Sequence, residues 1–212
     1  MRTALLFLSL CAASAGAADL TPTAVVEAPA YVAPQMPVHV VTEVEAEVYA
    51  AFLTQAWAKS SDDSAPLARQ SILLENDSVD AWQPGRRAWE QYLLKRTGGQ
   101  GRASDDAEDA FLKRPVQIVR FYAFPVLEVP IRLLRSDVLA ETLRTKGWDG
   151  FYEAYPKTQG ILSLSSVAFG ARGLEALFSA RLQCGKRCGY RDLVLMRKVN
   201  GVWTLIMKDA LP

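Results

Sequence analysis

The stretch from Pro156 to Met207 constrains this chain most. It holds four apolar runs divided by glycine-bearing turns, with the pair Cys184 and Cys188 in the middle turn. Ile161, Ser163, Ser165, Val167 and Phe169 alternate with Leu162, Leu164, Ser166 and Ala168. After Gly170-Ala171-Arg172-Gly173, the residues Leu174, Ala176, Phe178, Ala180 and Leu182 share one face. Glu175, Ser179, Arg181 and Gln183 lie opposite, and only Leu177 breaks the pattern. A period of two marks half-buried strands. Tyr190 to Val199 gives a third strand. Asn200-Gly201 then signals a tight hairpin, because both central residues of a type I′ turn need positive φ. Val202, Thr204 and Ile206 alternate with Trp203, Leu205 and Met207 in a fourth strand. Turns this short make neighbours antiparallel, which predicts a four-stranded antiparallel meander.

Cys184-Gly185-Lys186-Arg187-Cys188 spans the second turn. With three residues in the loop, the cysteines face each other at a separation a disulfide can bridge. Closing so short a loop stabilises by about 2 kcal/mol, enough to pin the register but not to hold a domain. A redox-active pair is the weaker reading, since catalytic thiols favour C-x-x-C at a helix N-terminus. Zinc is weaker still, because two sulfurs with no nearby histidine leave half a tetrahedron empty.

Tyr155-Pro156, Gly160-Ile161, Leu164-Ser165-x-Val167-x-Phe169, Cys184-Gly185-x-x-Cys188-Gly189 and Lys198-x-x-Gly201-x-Trp203 follow in order. Over about the last third of the chain this pattern resembles the C-terminal signature of a group of exported bacterial proteins with no assigned reaction. The chain departs from it at Arg191, where a further glycine is usual, and at Ala210-Leu211-Pro212. The resemblance implies a compartment and an architecture, and no chemistry.

The N-terminus agrees with export. Arg2, the apolar run Ala4 to Leu10 and then Ala15-Gly16-Ala17 read as a signal peptide over residues 1–17, too short to span a membrane. Leu10 precedes Cys11 where a lipoprotein anchor would want a small residue, which disfavours that anchor. Two cysteines would remain after cleavage, in a periplasmic or secreted setting that oxidises them. No later apolar run reaches membrane-spanning length. The charge is nearly balanced, 24 Lys and Arg against 23 Asp and Glu, so bulk charge points to no nucleic acid.

Residues 18–41 carry Pro22, Pro29, Pro34 and Pro37 without helical period, and read as a tether or an arm over the domain. His39, the only histidine, falls there. If that arm is loose, the domain has no imidazole for a triad or a metal site. Residues 42–212 read as a single α+β domain, with the meander preceded by helices packed on one face. Thr42-Glu43-Val44-Glu45 is a capping box opening a helix to about Lys59, with Val44, Val48, Phe52 and Leu53 inward. Ser71 to Glu75 reads as a short strand ended by Asn76-Asp77-Ser78. A helix over Arg86 to Arg96 with Trp89, Tyr92 and Leu93 inward is expected next. Gly98-Gly99-Gln100-Gly101 after it lacks the lysine of a phosphate loop. Ser104 caps a short acidic-start helix rather than a calcium loop. Val116 to Phe124 reads as an edge strand. Ser136 caps a helix to about Lys146, with Val138, Leu139 and Leu143 inward. Trp148 to Tyr155 forms a further aromatic helix docking Phe151, Tyr152 and Tyr155 on the meander.

One imbalance suggests function. Arg181, Lys186, Arg187, Arg191, Arg197 and Lys198 crowd the central hairpin, with Asp192 the only acid. Alternation lets Arg181, Arg191 and Arg197 share a face, with Lys186 and Arg187 at the tip. Such a surface fits an anionic ligand or an acidic envelope partner, although long cations also keep an exposed sheet soluble. An exported, non-enzymatic binding module without cofactor or metal is the primary expectation. The alternative is a carboxylate hydrolase with a cleft between helices and sheet. Its candidates are Glu75, Asp77, Glu128 and Glu153, or the hydroxyls of Ser163 and Ser165, none at a spacing that singles it out.

Overall fold

A computed structural model describes residues 36–58, 71–80, 102–124, 127 and 131–211. The fold is mixed α and β, with two sheets and three helices among these residues. The chain begins with β1 (Val38–Val40), inside the segment read as tether or arm, and then α1 (Glu43–Ala58). Next come β2 (Ser71–Glu75) and β3 (Asp77–Asp80), α2 (Asp105–Lys113), β4 (Gln117–Arg120) and β5 (Ile131–Leu134). After α3 (Ser136–Ala154) follow β6 (Thr158–Leu164), β7 (Ala168–Phe169), β8 (Glu175–Gln183), β9 (Gly189–Val199) and β10 (Val202–Ala210). The expected helix over Arg86 to Arg96, the loop Gly98 to Gly101 and residues 1–17 lie outside the described residues.

The meander is present as β6-β8-β9-β10, antiparallel throughout, with Asn200 and Gly201 both at positive φ in its last turn. It is only part of the sheet. Beyond β6 lie β2 and then β5, both parallel to their neighbours, giving the order β10-β9-β8-β6-β2-β5 with β7 paired to β8. The expected purely antiparallel four-stranded sheet is therefore corrected to a seven-stranded mixed one. The extension comes from a crossover: β5, α3 and β6 form a βαβ unit straddling β2. A second sheet, β1-β4-β3, starts where Asn76 passes the chain from β2 to β3. Asn76 N–H donates to Leu134 O, and its carbonyl accepts from Phe121 N–H.

The helices do not lie on one face, which is a second correction. On one side of the sheet α1 seats Val48, Tyr49, Phe52 and Leu53 against Ile72, Leu74, Leu162, Phe178, Val194 and Met196. On the other side α2 packs Ala107 and Phe111 on Leu177, Leu193, Leu195 and Met207. Beside it, α3 packs Leu139 and Phe151 on Leu73 and Ile161. Leu177, the misfit in the alternation of β8, is where α2 lands. Tyr49 and Phe52 meet Phe178 edge-on, with ring centroids 5.3 Å apart in both pairs.

Local chemistry sets the helix ends. Thr42 and Glu45 exchange the two bonds of a capping box, Thr42 N–H to Glu45 Oε2 at 2.9 Å and Glu45 N–H to Thr42 Oγ1 at 3.3 Å. Ser104 caps α2 through Ala107 N–H. Ser136 is not the cap of α3: its own N–H donates to Asn76 Oδ1 at 2.9 Å, so the cap comes from a residue 60 positions away. Gly147 leaves helical geometry at φ 64°, dividing α3 into the two expected segments. At the far edge of the sheet the Gln55 carboxamide donates to Trp203 O and accepts from Leu205 N–H, both at 2.8 Å.

Candidate functional site

The β8–β9 pairing runs in register from Glu175 opposite Arg197 to Gln183 opposite Gly189. That register sets Arg181 directly across from Arg191 on one face. Like charges placed so repel, and a fold usually avoids the arrangement. Cys184 and Cys188 close the turn with a disulfide, their Cα atoms 5.0 Å apart. Cys184 N–H also donates to Cys188 O at 3.1 Å, and the Tyr152 hydroxyl donates to Cys184 O at 2.9 Å, tying the turn to α3. Two glycines let the backbone crowd here. A Cβ on Gly160 would stand 2.2 Å from Gln183 O, and one on Gly189 would stand 2.8 Å from Leu182 O.

Around this hairpin end lies an open groove of about 520 Å³, lined by Arg181, Lys186, Arg187, Cys188, Tyr190 and Arg191 among others. No carboxylate is among the described residues lining it. Asp192, the only acid of the segment, alternates to the opposite face, where it is buried with Lys208 Nζ 3.4 Å from Oδ2. Burial and then the Asp192 charge hold the Tyr190 phenol above its ordinary 10. Arg197, expected in the same basic group, stands elsewhere. It is paired with Glu175 Oε1 through Nε at 2.9 Å and Nη2 at 2.6 Å, while Glu175 Oε2 accepts from Ser104 N–H at 2.8 Å. Despite burial, these bonds hold the Glu175 carboxyl below its ordinary range. Arg197 thus locks α2 to the sheet.

No family model, curated protein or solved structure matches this chain.

The hydrolase candidates scatter. Glu128 lies outside the described residues, and Glu153 is exposed on α3. Ser165 is buried and structural: its hydroxyl donates to Ser166 O and accepts from Ser179 N–H. Asp77 is held by a forked pair with Arg120, both bonds at 2.8 Å. It lines a cleft of about 440 Å³ with Asn76, Tyr122 and Ser136, but Glu75 does not line that cleft. Glu75 and Asp77 therefore do not share that cleft, whose second acid is Asp137, itself paired with Arg135. Among the described residues no cluster of three His, Cys, Asp or Glu side chains is placed to hold a metal.

Glu75 does meet Ser163, whose hydroxyl donates to it at 2.8 Å across 88 residues of sequence. Burial raises its carboxyl above the ordinary 4.5, outweighing the Ser163 and Ser136 hydroxyls that favour the anion. A raised folded-state value means the fold prefers the neutral acid. That stabilisation is complete below pH 4.5 and is lost as pH rises through the folded value. Glu75→Gln, permanently neutral, is expected to melt a few degrees higher than the parent at pH 7.5 and to lose this advantage near pH 4. Calorimetry at the two pH values checks it.

Sequence reasoning missed one buried polar centre. Glu45, 2 % exposed, accepts from Thr42, from Val167 N–H at 3.2 Å and from His39, whose Nε2 lies 2.8 and 2.9 Å from its two oxygens. The capping box was the visible half of this knot. Val167, 122 positions away, carried no local signal.

Proposed function

We propose that this protein is an exported, non-enzymatic binding module that holds an anionic group of an envelope partner or ligand in the β8–β9 groove. The observation that carries the reading is Arg181 facing Arg191 beside Lys186 and Arg187, with no acid among the described lining residues. An anion in the groove would meet several guanidinium and ammonium donors at once, which favours charge-assisted binding there. Export is supported by the leader-like residues 1–17 and by the Cys184–Cys188 disulfide. Among the described residues no helix is long and apolar enough to cross a membrane.

Retention on a heparin matrix tests the groove. The native protein should elute only at raised salt, whereas Arg187→Glu with Arg191→Glu should elute early. The affinity should fall at least tenfold at low ionic strength, since like charges replace attraction at the contact. The melting temperature should stay unchanged. Equal retention of the two proteins would reduce the groove to a solvated face. Crosslinking in the native envelope would then identify the partner.

A further inference from the structure

The disulfide beside the groove has a setting that a purely structural bond does not need. Cys188 is exposed and lines the groove with Arg181, Lys186, Arg187 and Arg191, while Cys184 is half-buried. Reactive cysteines occur in electropositive, partly exposed surroundings, because nearby cations stabilise the thiolate. Four cations lining the same groove as Cys188 give an electropositive setting of the kind a helix N-terminus gives the usual dithiol motif.

The hairpin is also tied by bonds other than the disulfide. Nine residue pairs from Glu175↔Arg197 to Gln183↔Gly189 fix the hairpin register, and the Cys184 N–H···O Cys188 bond closes the turn independently. Opening the disulfide therefore leaves the two sulfurs facing each other, ready to close again. Loop closure over five residues adds little to stability.

We infer that Cys184–Cys188 is an exchange-active disulfide that accepts two electrons from an exposed dithiol without unfolding of the domain. A thiolate of the dithiol attacks Cys188 Sγ. The Cys184–Cys188 bond breaks, and its electron pair leaves on Cys184 Sγ as a thiolate. The second thiol of the dithiol, once deprotonated, displaces Cys188 Sγ from the mixed disulfide. The dithiol ends as a disulfide and the cysteine pair as two thiols or thiolates, with the protons drawn from the dithiol shared between them and solvent. This inference does not rest on anion binding, since the incoming dithiol carries no charge requirement.

The test uses dithiothreitol, an uncharged dithiol, on the full-length native protein at pH 8.5. The rate of reduction should rise in proportion to dithiothreitol concentration while the circular dichroism spectrum stays native. Lys186→Glu with Arg187→Glu should lower the equilibrium constant for reduction about fivefold to tenfold, because the thiolate loses its cations. The neutral pair Lys186→Gln with Arg187→Gln should fall between. A rate independent of dithiothreitol concentration would mean that reduction waits for unfolding, and would overturn the inference. So would an equilibrium constant that ignores all four substitutions.

Discussion

Phe178→Ala is expected to lower the unfolding free energy by about 3–5 kcal/mol in chemical denaturation, the largest single effect in this fold. Phe178 is fully buried in the middle of β8 and receives the edges or faces of Tyr49 and Phe52 from α1. Truncation removes the ring's transfer energy and both aromatic contacts. The cavity left cannot collapse, because β6 and β9 flank β8 on either side and fix the backbone. Phe178→Leu, which refills most of that volume, should lose less than half as much. If Phe178→Ala lost under about 1 kcal/mol, α1 could not be resting on this ring as described.

Glu45→Ala should come next, with a loss of about 3 kcal/mol. The buried carboxylate accepts from two main-chain N–H groups, Thr42 and Val167, and from the Thr42 hydroxyl and the His39 ring. Its removal leaves these donors facing each other without an acceptor, and both β1 and the start of α1 lose their tie to the β6–β7 turn. Glu45→Gln keeps one acceptor oxygen but turns an amide N–H₂ toward a donor, so an intermediate loss is expected. Thermal melts of the three proteins under one buffer give the order. An unchanged melting temperature for Glu45→Ala would mean that water serves these donors equally well.

Much of the meander could be read from the residues, because its signals are local. Period-two alternation, Asn200-Gly201 and the closely spaced cysteines each act within a few positions. The parallel half of the sheet had no such signal. Ile131 to Leu134 is too short and too close to proline to announce a strand, and its partner Ile72 lies far away in sequence. Only the crossover through α3 makes β5 and β6 flank β2. Leu177 was informative in a way the local pattern hid: an apolar residue on the supposed solvent face meant that the face was covered. The basic groove was half legible. Alternation put Arg181, Arg191 and Arg197 on one side, but Arg197 stands at the far end of the paired stretch, where Glu175 directly opposite takes its charge. Glu75 with Ser163 could not be anticipated, because that contact exists only once β2 and β6 are neighbours.

Gln55 has a further consequence. Its carboxamide makes both bonds that a partner backbone would make with Trp203 and Leu205 on the terminal strand β10. A second molecule approaching along that margin would have to evict a side chain already hydrogen-bonded there, for no net gain in bonds. The helix thus blocks strand addition along the first half of β10, the nine-residue strand at one border of the sheet among the described residues.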